Sequence, residues 1–142
     1  MSESEPLTGT EIAIIGMAGR FPGADTVQAF WENLLVGKEA LQHFSDEALL
    51  EAGIPEGLLK HPDFVKAGMP LDDIAGFDPG FFGYNPKEAA LMDPQHRLML
   101  EVAWESLENS GYVPEKTQAS IGVFVGCGTS HYDKLLLQNR QV

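Results

Sequence analysis

The sequence predicts an α/β protein, a sheet covered by helices, and three observations carry that reading. Residues 11–16, Glu11-Ile12-Ala13-Ile14-Ile15-Gly16, form a short apolar run rich in β-branched side chains and ended by glycine, as strands buried on both faces do. Residues 121–126, Ile121-Gly122-Val123-Phe124-Val125-Gly126, repeat the pattern. Between them the chain opens several stretches of helical periodicity with capping residues, which suits a parallel or mixed sheet with helices laid over it.

The glycines after the first strand candidate invite comparison with a dinucleotide-binding turn. That turn needs G-x-G-x-x-G leading straight into a helix, whereas Ala18 and Phe21 occupy the second and third glycine positions after Gly16 and Pro22 interrupts the turn. Thr26 caps a helix predicted over residues 27–36, with Phe30, Trp31, Leu34 and Leu35 on the side that covers the sheet and Gly37 ending it. Ser45, followed by Asp46 and Glu47 where the helix dipole welcomes acids, starts a short surface helix that stops before Gly53.

From residue 64 to 84 glycine, proline and phenylalanine dominate, so the segment is irregular and anchored by Phe77, Phe81 and Phe82. Asn85-Pro86-Lys87-Glu88 then supplies a cap, a proline at the first helical position and a glutamate at the third. Asp93-Pro94 repeats the device and begins a longer helix that Gly111 stops. Leu100, Ala103, Trp104 and Leu107 make its apolar side, widened by Leu98, Met99 and Val102, so burial is expected except along a narrow strip of Glu101, Glu105 and Glu108. Three acids on one strip beside Arg97 are a solvated face by this reading, not a catalytic pair.

Composition narrows the function classes. The 142 residues suit one domain, with residues 1–10 expected as a flexible leader or linker and residues 11–142 as the domain. Nine Lys+Arg against 21 Asp+Glu give a net charge of −12, which repels phosphate backbones and anionic membranes, so neither nucleic acid nor membrane is an expected partner. No apolar run is long enough to cross a bilayer, residues 1–10 lack the features of a signal peptide, and a single cysteine forms no internal disulfide, so a cytoplasmic setting is expected.

The candidate reactive residues fall short of a site. Cys127 follows the second strand candidate, where α/β enzymes place reacting groups, but no helix N-terminus or basic neighbour is evident to lower its pKa. A packed or loop thiol is therefore preferred to a nucleophile. Ser130 and His131 are adjacent and point to opposite faces if the backbone is extended, and no G-x-S-x-G elbow is present. His43, His61, His96 and His131 share no metal-ligand spacing, so no metal is expected.

One stretch identifies a family. Met92-Asp93-Pro94-Gln95-His96-Arg97-Leu98-Met99-Leu100-Glu101-Val102-Ala103-Trp104-Glu105 resembles the start of a signature helix in the ketosynthase domains of modular type I polyketide synthases. Further segments resemble the same family in the same order: Ile12-Ala13-Ile14-Ile15-Gly16-Met17-Ala18-Gly19-Arg20-Phe21-Pro22-Gly23-Ala24, Phe30-Trp31-Glu32-Asn33-Leu34, Phe77-Asp78-Pro79-Gly80-Phe81-Phe82-Gly83-Tyr84, and Gly122-Val123-Phe124-Val125-Gly126. The resemblance spans nearly everything after residue 10.

What it implies is an incomplete N-terminal part of a thiolase-like fold, layered αβαβα in the complete domain, which works as a homodimer. Its chemistry is acyl transfer from the phosphopantetheine arm of an acyl carrier protein to a cysteine, then decarboxylative Claisen condensation with a carrier-bound malonyl unit. The family's nucleophile and two histidines lie further along than anything matched, so no catalytic residue and no directly bound cofactor is expected in this chain. Cys127 follows a strand where the family commonly has a small residue and is not that nucleophile. By similarity to single-domain relatives, Met99 and Leu100 line the acyl pocket. The expected partners are the rest of the ketosynthase or another polyketide synthase subunit, and an acyl carrier protein. The alternative is a catalytically dead module that dimerises or docks synthase subunits.

Overall fold

A computed structural model describes residues 8–130 and 132–138. Most of the expected leader, residues 1–7, lies outside the described residues, as do His131 and residues 139–142.

Helix α1 spans Val27–Leu35 and starts where Thr26 accepts a hydrogen bond from the Ala29 amide, as expected of its cap. Strand β1, Gln42–His43, pairs antiparallel with β2, Ala67–Gly68. Between them lie α2, Asp46–Glu51, capped by Ser45, and the single turn α3, Glu56–Leu59. Helix α4, Pro86–Leu91, carries a complete capping box: Asn85 accepts from the Glu88 amide while Glu88 accepts from the Asn85 amide. Helix α5, Pro94–Ser110, begins at Asp93, which accepts from Gln95, and ends at Gly111 with φ 72°, a left-handed position that glycine adopts without strain. A 3₁₀ turn, Pro114–Lys116, and α6, Tyr132–Gln138, complete the order.

The aromatic segment is anchored as expected. Phe77 stacks on Phe82 at 5.2 Å, and Phe81 meets Phe82 and then Trp104 of α5 edge-on at 4.9 and 4.8 Å. The loop before α4 is thereby pinned to the middle of α5.

Two expectations fail together. Residues 12–16 and 121–126 are neither strands nor buried: among the described residues the sheet is the β1–β2 pair, Ile12 is 95% exposed and Phe124 98% exposed. A strand buried on both faces needs neighbours on both edges and cover on both faces, and none is present among the described residues. The apolar side of α1 is uncovered for the same reason, with Trp31, Leu34 and Leu35 all exposed. Helix α5 likewise has no fully buried residue, against the expectation that it is mostly enclosed.

What α5 does hold is the segment after the first apolar run. The Met17 amide donates to Asn109 Oδ1 at 3.0 Å, and Gly16 passes so close to the helix that a Cβ there would lie 2.5 Å from the Ser106 carbonyl oxygen and 2.9 Å from Ser110 Cβ. Phe21 then stacks on Phe30 at 4.2 Å, carrying the chain over to α1. Gly16 thus ends the apolar run because the backbone needs the space, and Gly16→Ala should destabilise the chain by about 1–3 kcal/mol through overpacking. Equilibrium denaturation of the two proteins checks this; equal midpoints would mean that residue 16 does not pack against α5.

Candidate functional site

The N-terminal half of α5 and residues 125–128 enclose an open cavity of about 660 Å³, within the size range of small-molecule sites. Leu98, Met99, Leu100, Val125, Tyr84 and Met92 make it largely apolar, and Gln95, His96 and Cys127 supply the polar groups. Met99 and Leu100, expected at an acyl pocket, are both in its wall, and Met99 also lines the groove beneath Met17, Phe21 and Phe30.

The 125–128 wall is held by contacts made just beyond it. Asp93 caps α5 and shares a lining with Ser130, and the Ser130 hydroxyl, ahead of the Gln95 amide, holds its carboxyl below the usual carboxylate range. The Tyr132 amide donates to Ser130 Oγ at 3.0 Å, and Tyr132 Oη donates to the Ala90 carbonyl at 2.7 Å. The junction of α4 and α5 therefore fixes both the helix that forms one wall and the chain that follows the other.

Cys127 is exposed, and the cavity brings it to the same lining as His96, a basic neighbour that the sequence did not reveal. The folding of α5 against the 125–128 segment makes that juxtaposition, and a separation of 31 positions along the chain gives no signal of it. Among the described residues no cluster of three or more His, Cys, Asp or Glu side chains could hold a metal.

The acidic strip on α5 is also corrected. Glu105 is only partly solvated and is paired: Arg20 forks onto both of its carboxylate oxygens, one bond at 2.7 Å and the second shorter, while the same guanidinium donates to the Asp25 carbonyl at 3.2 Å. The hydrogen bond from Arg20 holds the Glu105 carboxyl below its ordinary 4.5. One turn earlier, Glu101 is half-buried, and burial raises its carboxyl, opposed by the charge of Arg20.

An apolar cavity thus lies beside the longest helix of the described residues, with Gln95, His96 and Cys127 as the polar part of its lining. The chain belongs to the β-ketoacyl synthase family, whose N-terminal domain matches residues 9–142. It is 48% identical over 128 residues to a phenolphthiocerol/phthiocerol polyketide synthase of Mycobacterium tuberculosis, covering 90% of this chain and 8% of that protein. To the erythronolide synthase EryA3 of Saccharopolyspora erythraea it is 43% identical over 134 residues, 93% of this chain and 4% of that one. Among solved structures, ketosynthase twelve from the bacillaene polyketide synthase of Bacillus amyloliquefaciens is 45% identical with a TM-score of 0.60, covering 68% of this chain and 17% of that one. The chain therefore has the fold of the N-terminal part of a ketosynthase, and it spans a small fraction of the relatives it matches. No helix among the described residues is long and apolar enough to cross a membrane.

The two glutamates pull stability in opposite directions with pH. Glu105, lowered in the folded state, stabilises above 4.5 and loses that contribution as pH falls through its folded value. Glu101, raised in the folded state, destabilises at neutral pH and is relieved as pH falls through its raised value towards 4.5. Glu101→Gln should therefore raise the melting temperature at pH 7 and leave it unchanged below pH 4.5, whereas Glu105→Gln should lower it at pH 7. Calorimetry across that range checks both signs.

Proposed function

We propose that the chain forms the N-terminal portion of a polyketide synthase ketosynthase domain and performs no condensation until the rest of that domain packs against it. One observation carries the reading: the two apolar segments that resemble the family, around Ile12 and Phe124, lie outside any helix or strand and are uncovered. Fully burying an aliphatic or aromatic side chain of this size is worth about 1.5–3 kcal/mol, so several such residues give association a large driving force.

The complete domain transfers an acyl chain from the phosphopantetheine arm of a carrier protein to a cysteine thiolate. It then condenses that acyl group with the enolate formed when a carrier-bound malonyl unit loses carbon dioxide. Thioester exchange needs an activated thiol, and the enolate needs hydrogen-bond donors to hold its charge. The chain's own contribution is the apolar cavity wall at Met99 and Leu100, which takes the acyl chain, and the faces that the remaining layers of a homodimeric domain cover. The proposed setting is the cytoplasm, in keeping with the single cysteine and the strongly acidic charge.

Light scattering and calorimetry on the 142-residue chain, alone and mixed with a C-terminal ketosynthase fragment, test the proposal. Cooperative unfolding and carrier-dependent condensation should appear only on mixing. A sharp transition in the chain alone, with binding to an intact polyketide synthase and no gain of condensation, would favour a docking module instead.

A further inference from the structure

A second groove, of about 380 Å³, lies where the last turns of α5 meet the 3₁₀ turn, and it shares no lining residue with the cavity at Met99 and Leu100. Trp104 and Tyr112 are in its lining, 46% and 52% exposed, together with the exposed acids Glu108 and Glu115. Neither acid is paired with a cation among the described residues, although Lys116 is next in the chain to Glu115. Helix α5 has no basic residue in its last turn, so the negative end of its dipole has no cation of its own. We propose that this groove docks an arginine side chain presented by a partner polypeptide.

The chemistry of the lining selects that occupant. Aromatic rings attract a cation placed over them, and here they are joined by two carboxylates and a helix C-terminus, all of which favour positive charge. A guanidinium suits the combination better than an ammonium, because it is planar, weakly hydrated, stacks on rings and forks onto carboxylates. Leu107, Val113 and Pro114 offer apolar surface to the methylene stem of the arginine. A hard metal ion would need several converging oxygens, and no cluster of three or more metal-binding side chains exists among the described residues. The net charge of −12 adds a longer-range attraction for a basic partner. The inference goes beyond the condensation chemistry and does not rest on the acyl pocket.

The chain has two tryptophans, so the indole N–H signals in nitrogen-15 NMR report on the groove through Trp104 and on α1 through Trp31, which lies outside it. Titration with acetyl-leucyl-arginyl-leucine amide should move the Trp104 signal to saturation and leave that of Trp31 in place. The peptide with citrulline for arginine, of like shape but neutral, should bind about tenfold more weakly. Glu108→Gln combined with Glu115→Gln should weaken arginine-peptide binding about fivefold, whereas Glu47→Gln combined with Glu51→Gln, two exposed acids of α2, should leave it unchanged. Equal affinity for the two peptides, or equal losses in the two double variants, in chain that keeps its helical circular dichroism, would overturn the proposal.

A second measurement does not depend on the isolated chain folding. Residues 9–142 would replace the matching segment of the bacillaene ketosynthase twelve, and calorimetric titration of this hybrid with the same peptides should show the same preference for arginine and the same loss on removing Glu108 and Glu115. Those substitutions should leave carrier-dependent condensation unchanged. Binding in the free chain that is lost in a cooperatively folded hybrid would overturn the proposal, because the rest of the domain would then be the occupant. Arginine-dependent binding in a hybrid that performs no condensation would support the groove and count against the ketosynthase reading instead.

Discussion

The fork of Arg20 onto Glu105 is the constraint on which the N-terminal half of the structure depends. A planar guanidinium meeting both carboxylate oxygens fixes direction as well as distance, which a lysine at the same position would not do. Arg20 also donates to the Asp25 carbonyl, so one side chain ties the turn before α1 to the middle of α5. The approach of Gly16 to Ser106 and the Met17 amide bond to Asn109 then follow along the same helix. The pair is partly solvated, with Arg20 23% and Glu105 41% exposed, so its worth lies more in orientation than in raw stability.

That local order coexists with apolar surface that the fold leaves open. Among the described residues the buried hydrophobic side chains are Ala24, Leu59 and Ala89, whereas Ile12, Ile14, Val123 and Phe124 face outward. Packing is thus organised around α5 and its aromatic anchors instead of around a sheet.

Features written within a few residues of one another were legible in the sequence. The Thr26, Ser45, Asn85 and Asp93 caps are all where the sequence puts them, because a cap is a contact between a side chain and an amide two or three positions away. The ordered segments also identified the family, which covers residues 9–142. Features that join distant positions were not legible. Helical spacing alone assigns Glu105 to a solvent strip, since nothing in the spacing says that Arg20, 85 positions earlier, reaches it. The apolar runs at 12–16 and 121–126 read as buried because burial is where such runs are stable, yet burial needs partner strands, and a run's composition says nothing of whether they are there. The approach of His96 to the cavity of Cys127 was missed for a similar reason.

Met99 joins the N-terminal segment to the cavity. It lines the cavity beside Leu100 and Cys127, and it also lines the groove under Met17, Phe21 and Phe30. A change in the Met99 side chain therefore alters both surfaces at once. The contacts of Arg20, Gly16 and Met17 fix the segment that forms one side of the groove, and through Met99 they bear on the shape of the cavity. Loosening that segment should therefore be felt at the cavity even though none of those three residues lines it. The N-terminal segment in this sense takes part in building the cavity.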